Sequence, residues 1–358
     1  MQVSERGTTM EQLNEMQLKT VETQLKELFP QSQQCQVMQV SERGTTMEQL
    51  NEMQLKTVET QLKELFPQSQ QCQVMQVSER GTTMEQLNEM QLKTVETQLK
   101  ELFPQSQQVY GYIFQMNRVM ADPIQVFVDH WPEFNVILCK PPYEKEGDLF
   151  KDTCVFTKDE ASFRNILGEN NIIDWTKFLC LGTSLCYEEM VMAVASERKV
   201  PVNKVSVCHM MMLQDPSRLP PVESAIESMI SSLDESHSDI VNKTWKFGNT
   251  ENSFQMIRSM IRHYPSCCVL DAESQQPIAW VLTYPSSAMG MLYTLQEHRG
   301  QGLAKALVSS MSRRLYSQGF PVYCFVEEEN TLSYSLYTNL GFTEDPQYRA
   351  AWFDFNSL

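Results

Sequence analysis

The 358-residue sequence has no apolar run approaching the ~18 to 20 residues that cross a bilayer, which argues against a membrane-spanning protein. Positive charge is scarce. The chain has 29 lysines and arginines and 45 acidic residues. The resulting net charge of −16 argues against nucleic acid as a partner. A site for an anionic ligand must therefore be a local exception to the overall field. The ten cysteines show no metal-type spacing, and no apolar signal segment is present, so we expect reduced thiols in an intracellular compartment and no metal site.

The N-terminal part has little sequence diversity because one segment occurs three times. Residues 1–37 recur unchanged at 38–74, and residues 75–108 repeat them again. A functional helical array shows a fixed period of this kind, but the end units of such arrays usually carry polar caps and so differ. A recent duplication of one coding segment, or an error in gene assembly, also gives identical copies. We predict a duplicated amphipathic helical leader over residues 1–74, with the third copy belonging to the folded domain.

The third copy carries its own helix signals. Thr82 and Glu85 have the spacing of a capping box, and Pro104 closes the apolar stripe that follows. That stripe consists of Leu92, Val95, Leu99 and Leu102.

Hydrophobic periodicity predicts an α/β fold for the rest of the chain, with helices on both sides of a mixed, mostly antiparallel sheet. Prolines at 216, 220 and 221 mark a linker. We place an N-terminal domain at 75–221 and a C-terminal domain at 222–358. The predicted strands are 109–114, 135–139, 153–157, 205–213, 266–270, 278–284, 289–295, 322–326 and two within 342–355. The predicted helices are 126–130, 160–167, 187–199, 236–246, 250–263, 303–318 and 332–339.

A glycine-rich hexapeptide stands between the strand at 289–295 and the helix at 303–318. A strand that passes through glycines into a helix N-terminus directs free N–H groups and the positive end of the helix dipole at one spot, which suits a pyrophosphate. The hexapeptide is Arg299-Gly300-Gln301-Gly302-Leu303-Ala304. Its alternative interpretation is an ordinary turn leading into a helix.

The order of this hexapeptide, its helix, the next strand, Asn330 and the segment 336–342 resembles the acyl-CoA-binding core of the GCN5-related N-acetyltransferase superfamily. Further segments are similar to the glycine N-acyltransferase family, and together they extend the resemblance over about residues 84–358. They are 109–111, 131–135, 241–249, 264–268, 293–299 and 319–323.

The resemblance implies two tandem acyltransferase-like lobes, of which only the second carries the phosphate motif. It implies acyl-CoA as co-substrate, glycine or glutamine as acceptor, and no prosthetic group. It also implies a mitochondrial protein, although the leader is rich in Gln and Glu and unlike an Arg-rich transit segment, so the cytoplasm is the alternative.

The resemblance also assigns roles within the second lobe. The N–H groups of residues 300–304 would bind the phosphates, and an N–H near Met291 or Leu292 would polarise the thioester carbonyl. Tyr337 would protonate the leaving thiolate, unless it is only a packed aromatic residue, with Tyr334 one turn earlier as substitute. Asn330 would either contact the pantetheine or cap the helix.

The general base is where the sequence departs from the family. The glutamate that glycine-conjugating members carry in the hairpin before the third strand aligns with Ala288, which cannot accept a proton. The neighbouring candidates are Glu297, His298 and the cluster Glu327-Glu328-Glu329. Two other functions stay open: an impaired relative that binds acyl-CoA without efficient transfer, and an interaction protein that uses the leader helices. If only the base is missing, Ala288→Glu should raise turnover.

Overall fold

A computed structural model describes residues 84–118, 124–141, 152–168 and 172–357 of the chain. The predicted leader helices of residues 1–74 and Thr82 of the suggested capping box lie outside these residues. No helix within the described part of the chain is long and apolar enough to cross a membrane.

The described strands form one twelve-stranded sheet in the order β1-β2-β3-β4-β5-β12-β6-β11-β10-β9-β8-β7. Among them, β4 with β5 and β10 with β11 are parallel pairs, and the other neighbours are antiparallel. The strands are β1 Glu85–Gln86, β2 Gln125–Val128, β3 Val136–Lys140, β4 Thr153–Thr157, β5 Leu179–Ser184, β6 Val202–Met212, β7 Ile230–Ser231, β8 Ser266–Leu270, β9 Pro277–Thr283, β10 Met289–Thr294, β11 Tyr323–Glu327 and β12 Ala350–Phe355.

The α-helices cover both faces of this sheet. Alternate strand residues point to opposite faces, so Cys267 packs with α8, whereas Cys268 packs with α6 and α7. The helices are α1 Glu89–Lys100, α2 Gln107–Met116, α3 Glu160–Gly168, α4 Glu188–Arg198, α5 Ser224–Glu227, α6 Ser238–Thr244, α7 Glu251–His263, α8 Leu303–Ser317 and α9 Thr331–Asn339. The predicted fold class, a mostly antiparallel mixed sheet flanked by helices, is confirmed.

The last strand of the chain joins the two halves of the sheet. Strand β12 pairs with β5 on one side and with β6 on the other, and β6 in turn pairs with β11. The lobes therefore share one hydrogen-bonded sheet, and β6 lies among strands that come later in the chain. The boundary between domains at residue 221 stays a prediction.

Two predictions on secondary structure near the N-terminal lobe were wrong. Residues 109–114, predicted as a strand, lie in α2, and residues 126–130, predicted as helical, contain β2. Every residue from Gln107 to Gln115 is buried, so α2 has no polar face, and a short apolar run without a polar face does not distinguish helix from strand.

Three further differences concern the ends and the number of elements. The capping box of α1 uses Asn88 and Gln91, and Glu85 lies in β1 instead. Strand β5 was not predicted. The two strands expected within 342–355 are one strand, β12, preceded by a single bridge between Thr343 and Met212. Of the predicted apolar stripe, Leu92, Val95 and Leu99 are buried on α1, whereas Leu102 follows the end of this helix at Lys100 and is partly buried.

Helix α2 packs closely against the loop between β9 and β10, and Gly111 makes this possible. A Cβ atom at Gly111 would lie 1.7 Å from the carbonyl oxygen of Ser286 and 2.8 Å from the hydroxyl of Tyr323. We expect Gly111→Ala to lower the free energy of unfolding by at least about 1–3 kcal/mol. Urea denaturation measures this change. Gly168→Ala, where an added Cβ meets nothing within 4 Å, is the control. Equal stability of the two variants would contradict this close contact.

Candidate active site

Strands β10 and β11 separate soon after they meet. Their parallel pairing has one register contact, Met289 with Cys324, whereas the pairing of β10 with β9 continues to Thr294. The edge of β10 beyond Met289 therefore has no strand beside it on the β11 side, and a ligand with amide groups can bind there.

A bulge in β10 lies at this opening. The register between β10 and β9 shifts between Gly290 and Tyr293, and Met291 has a φ angle of 52°. Both Met291 and Leu292 lie in the bulge, which is where an N–H toward the thioester was expected. Gly290 is needed for close packing, because a Cβ there would lie 2.1 Å from the ring of Tyr284.

The glycine-rich hexapeptide forms the turn from the 3₁₀ helix Gln296–His298 into α8. Gly300 and Gly302 have φ angles of 77° and 78°, a region that favours glycine, and an added Cβ at either meets nothing within 4 Å. Gly302 is the N-cap and no side chain caps the helix, so the first amides, including those of Leu303 and Ala304, are available to an anion. Arg299 and Gln301 are exposed beside them. The arginine donates from Nε to the carbonyl of Thr294 at 3.1 Å.

The corresponding helix of the first lobe does not offer an equivalent anion site within the described part of the chain. Helix α3 follows β4 as α8 follows β10, but its first turn already holds a carboxylate. Asp159 Oδ1 accepts the N–H of Ser162 at 2.8 Å, and its Oδ2 accepts the hydroxyl of the same serine. A second negative group would be repelled there. That the second lobe alone binds phosphate stays a prediction.

A cavity of about 500 Å³ opens between the separating strands and extends to the first lobe. Its volume is in the range of small-molecule sites, about 300–1,000 Å³. The apolar and aromatic part of the lining includes Trp245, Phe247, Met256, Trp280, Tyr284 and Tyr293. The indole N–H of Trp280 is buried without a hydrogen-bond partner among the described residues.

Four of the residues predicted from the sequence line this cavity: Met291, Leu292, Asn330 and Tyr337. Tyr337 is 3% exposed. Burial, and then the adjacent Cys324 thiol with which it shares a hydrogen bond, raises the pKa of Tyr337 well above its usual value. The phenol therefore stays protonated at neutral pH and can act as an acid. Asn330 also caps α9, since its side chain accepts the N–H of Ser333 at 3.1 Å.

Most of the other catalytic candidates from the sequence lie outside the cavity lining. Tyr334, outside the lining, donates its hydroxyl to Glu344 at 2.8 Å. Glu297 is exposed, and neither it nor His298 lines the cavity, so their catalytic assignment stays a prediction. Of the glutamate cluster, Glu327 alone lines it, and Lys246 Nζ contacts both of its carboxylate oxygens at 2.7 and 2.9 Å.

Ala288 is buried and lies outside the cavity lining. It is 1% exposed and packs with Met210, Tyr323, Tyr348 and Ala350. This packing reverses the expectation for Ala288→Glu, because the new carboxylate would enter an apolar cluster. We now expect this variant to lose several kcal/mol of stability, measured by urea denaturation, rather than to gain turnover. A soluble, stable and more active variant would contradict the observed packing.

One acidic residue in the lining was missed from the sequence. Asp152 precedes β4, and three neutral donors hold its carboxylate. Its Oδ1 accepts the hydroxyl of Tyr112 at 2.5 Å, and its Oδ2 accepts the indole N–H of Trp352 at 3.1 Å and the amide of Gln108 at 3.2 Å. Removal from water raises the pKa of Asp152, against the opposing effect of the hydrogen bonds from Tyr112, Trp352 and its own backbone N–H. No local sequence pattern indicates that Asp152 lines the cavity, because its hydrogen-bond partners come from distant parts of the chain.

No group of three or more metal-ligating side chains occurs in the described part of the chain. The described cysteines are free thiols, and Cys267 and Cys268 are buried in β8, which was predicted as the strand at 266–270.

Comparisons with known proteins bear on these elements. Residues 84–265 match the family model described as aralkyl acyl-CoA:amino acid N-acyltransferase, and residues 269–352 match that of FR47-like protein. Glycine N-acyltransferase of Homo sapiens is 30% identical over 253 residues, which are 64% of this chain and 85% of the human protein. The Rattus norvegicus glycine N-acyltransferase is 29% identical over the same shares.

A solved structure of a Drosophila protein has a similar fold. It superposes with a TM-score of 0.62 at 18% identity, over 76% of this chain and 97% of that one.

Proposed function

The chain belongs to the aralkyl acyl-CoA:amino acid N-acyltransferase family and is an acyl-CoA-dependent transferase, and we propose that it transfers an acyl group to the amine of glycine or glutamine. The observation that carries this proposal is the opening between β10 and β11 beside the cavity, with the open N-terminus of α8 following on the same strand. A long thioester needs these three parts in this order: a phosphate anchor, a strand edge for its amides, and a chamber for the acyl group.

In this proposal each part of the site has one task. The amides of residues 300–304 bind the diphosphate, and an N–H in the bulge at Met291 or Leu292 donates to the thioester carbonyl oxygen as negative charge develops there. Tyr337 protonates the departing thiolate. Asn330 stands beside the pantetheine. The aromatic lining supports an apolar acyl group, so we expect benzoyl- and phenylacetyl-CoA to be better donors than acetyl-CoA.

A panel of acyl donors and acceptors tests the function. Thiol release from benzoyl-, phenylacetyl- and acetyl-CoA is measured with and without glycine, glutamine or asparagine. Release that depends on the amino acid supports transfer, and mass spectrometry of the N-acyl product identifies the acceptor. No amino-acid-dependent release from any donor would refute the proposal.

The second candidate function is acyl-CoA binding without efficient transfer, which the alanine at position 288 favours. Thermal stabilisation by coenzyme A without turnover would support it, because a ligand that binds only the folded state raises apparent stability. We also propose mitochondrial residence on the family relationship alone, tested by fractionation of cells that express the chain.

A further inference from the structure

Among the residues that the structure describes, the cavity lining has one negative group without an opposite charge paired to it. Three of its lining residues carry an ordinary charge: Asp152, Lys246 and Glu327. Lys246 and Glu327 pair with each other through two contacts, so their charges offset. The partners of Asp152 in the described part of the chain are neutral donors. A desolvated carboxylate of this kind gains free energy when a cation enters its site.

The position of this carboxylate relates it to the reacting strand. Its donors Gln108 and Tyr112 flank Gly111 on α2, and Gly111 packs against the backbone of Ser286. The hydroxyl of Ser287 also donates to the carbonyl of Gly111 at 3.1 Å. The loop that carries both serines leads directly into β10 and its bulge. The first lobe thus places Asp152 in the lining of the same cavity as the strand that is expected to hold the thioester.

We propose that Asp152 binds the ammonium group of the acceptor amino acid and accepts one of its protons, a role that rests on the acyltransferase function proposed above. The carboxylate takes a proton from the ammonium, and the freed amine forms the N–C bond with the thioester carbonyl carbon. The C–S bond then breaks, and the thiolate receives a proton through Tyr337 as the amide nitrogen loses one. Asp152 returns its proton to solvent, so the products are the amide, the free thiol and one proton.

The Asp152→Asn variant removes the charge with little change of shape. We expect kcat/KM for glycine to fall about 10²- to 10⁴-fold, the usual range for a general base. The Kd for coenzyme A, measured by calorimetry, should be unchanged. With aminoacetonitrile, an amine that is neutral at pH 7, the loss should be much smaller, because no proton has to be removed before attack.

Two matched variants accompany it. Asp354→Asn makes the same change on β12 outside the cavity lining, and we expect full activity. Glu327→Gln tests the other acidic residue of the lining. Glycine transfer that is lost in Glu327→Gln but kept in Asp152→Asn overturns the assignment. A wild-type chain without any transfer overturns the proposed function itself, whereas an active wild type with an equally active Asp152→Asn overturns this inference alone.

A second variant decides the matter if Asp152→Asn fails to fold. Tyr112→Phe removes one donor to the carboxylate, so the pKa of Asp152 rises further and the acid limb of kcat/KM for glycine moves to higher pH. The other titratable groups coupled to this carboxylate stay protonated near neutral pH, since burial raises the pKa of each; they are Cys139, Cys154, Cys180, Tyr284 and Tyr323. Lys246 and Glu327 are the charged pair that shares the cavity. An acid limb that stays in place overturns the proposal.

Discussion

Replacing Gly302 by glutamate is expected to weaken coenzyme A binding by about 100-fold or more, which corresponds to about 2.7 kcal/mol. An added Cβ at Gly302 meets nothing within 4 Å, so a glutamate side chain has room at the N-terminus of α8. Its carboxylate would compete with the diphosphate at the proposed site and repel it. Hydrogen bonds to charged groups contribute about 1.5–3 kcal/mol each, so the loss of one or two accounts for the effect. Isothermal calorimetry with coenzyme A measures it.

Gly319 offers a matched control at the other end of the same helix. It has a φ angle of 77°, and an added Cβ there also meets nothing within 4 Å. Gly319→Glu therefore introduces the same charge and the same backbone strain, about 1–2 kcal/mol, away from the phosphate site. Equal affinity in the two variants would show that the N-terminus of α8 is not where the diphosphate binds.

The parts of the site that are built from residues close together in the sequence were predictable. The hexapeptide at 299–304 and its helix are local features, because glycines, a strand before them and an amphipathic helix after them occur within some thirty residues. The resemblance placed an N–H toward the thioester near Met291 or Leu292, and these residues lie at the opening between β10 and β11. The bulge at Met291 with a positive φ angle, which lies at this opening, has no signature in the residue types.

Asp152 shows why the rest could not be predicted. Tyr112 and Trp352, which hold its carboxylate, stand 40 and 200 residues away in the chain. Only the insertion of β12 between β5 and β6 brings Trp352 to the first lobe. Before the sheet order is known, an aspartate at the end of a polar stretch looks like an ordinary loop residue.

The error at α2 has a related cause. Its residues are buried all round because α2 packs both on the sheet of its own lobe and on the loop of the other lobe. A helix with two buried faces loses the polar stripe on which recognition depends. A helix that is buried on every side therefore lacks the sequence periodicity from which a helix is predicted. The same packing places the buried Gln108 at the cavity.

Tyr337→Phe is expected to lower the rate of acyl transfer by about 10²- to 10³-fold at unchanged affinity for coenzyme A. The thiol of Cys208, which lines the same cavity, shows the reason. Burial raises the pKa of Cys208 to about 12, against a usual value of about 9. A thiolate released into this cavity faces a similar penalty, and three pKa units correspond to about 4 kcal/mol. The phenol of Tyr337 can donate a hydrogen bond and then a proton to the leaving sulfur as its charge develops, whereas phenylalanine has no donor.

Single-turnover measurements are the right test, because steady-state rates can be limited by product release. Tyr334→Phe is the control: it removes a hydroxyl that is bonded to Glu344 outside the cavity lining, and the transfer rate should stay near that of the wild type.

Because the pKa of Tyr337 is raised well above 10, its loss of a proton should not reduce the wild-type rate between pH 7 and about pH 10. An unchanged single-turnover rate in Tyr337→Phe, or a fall confined to Tyr334→Phe, would move the acid to another residue. Tyr337 would then be a packing residue of α9, and another group or solvent would have to protonate the departing thiolate.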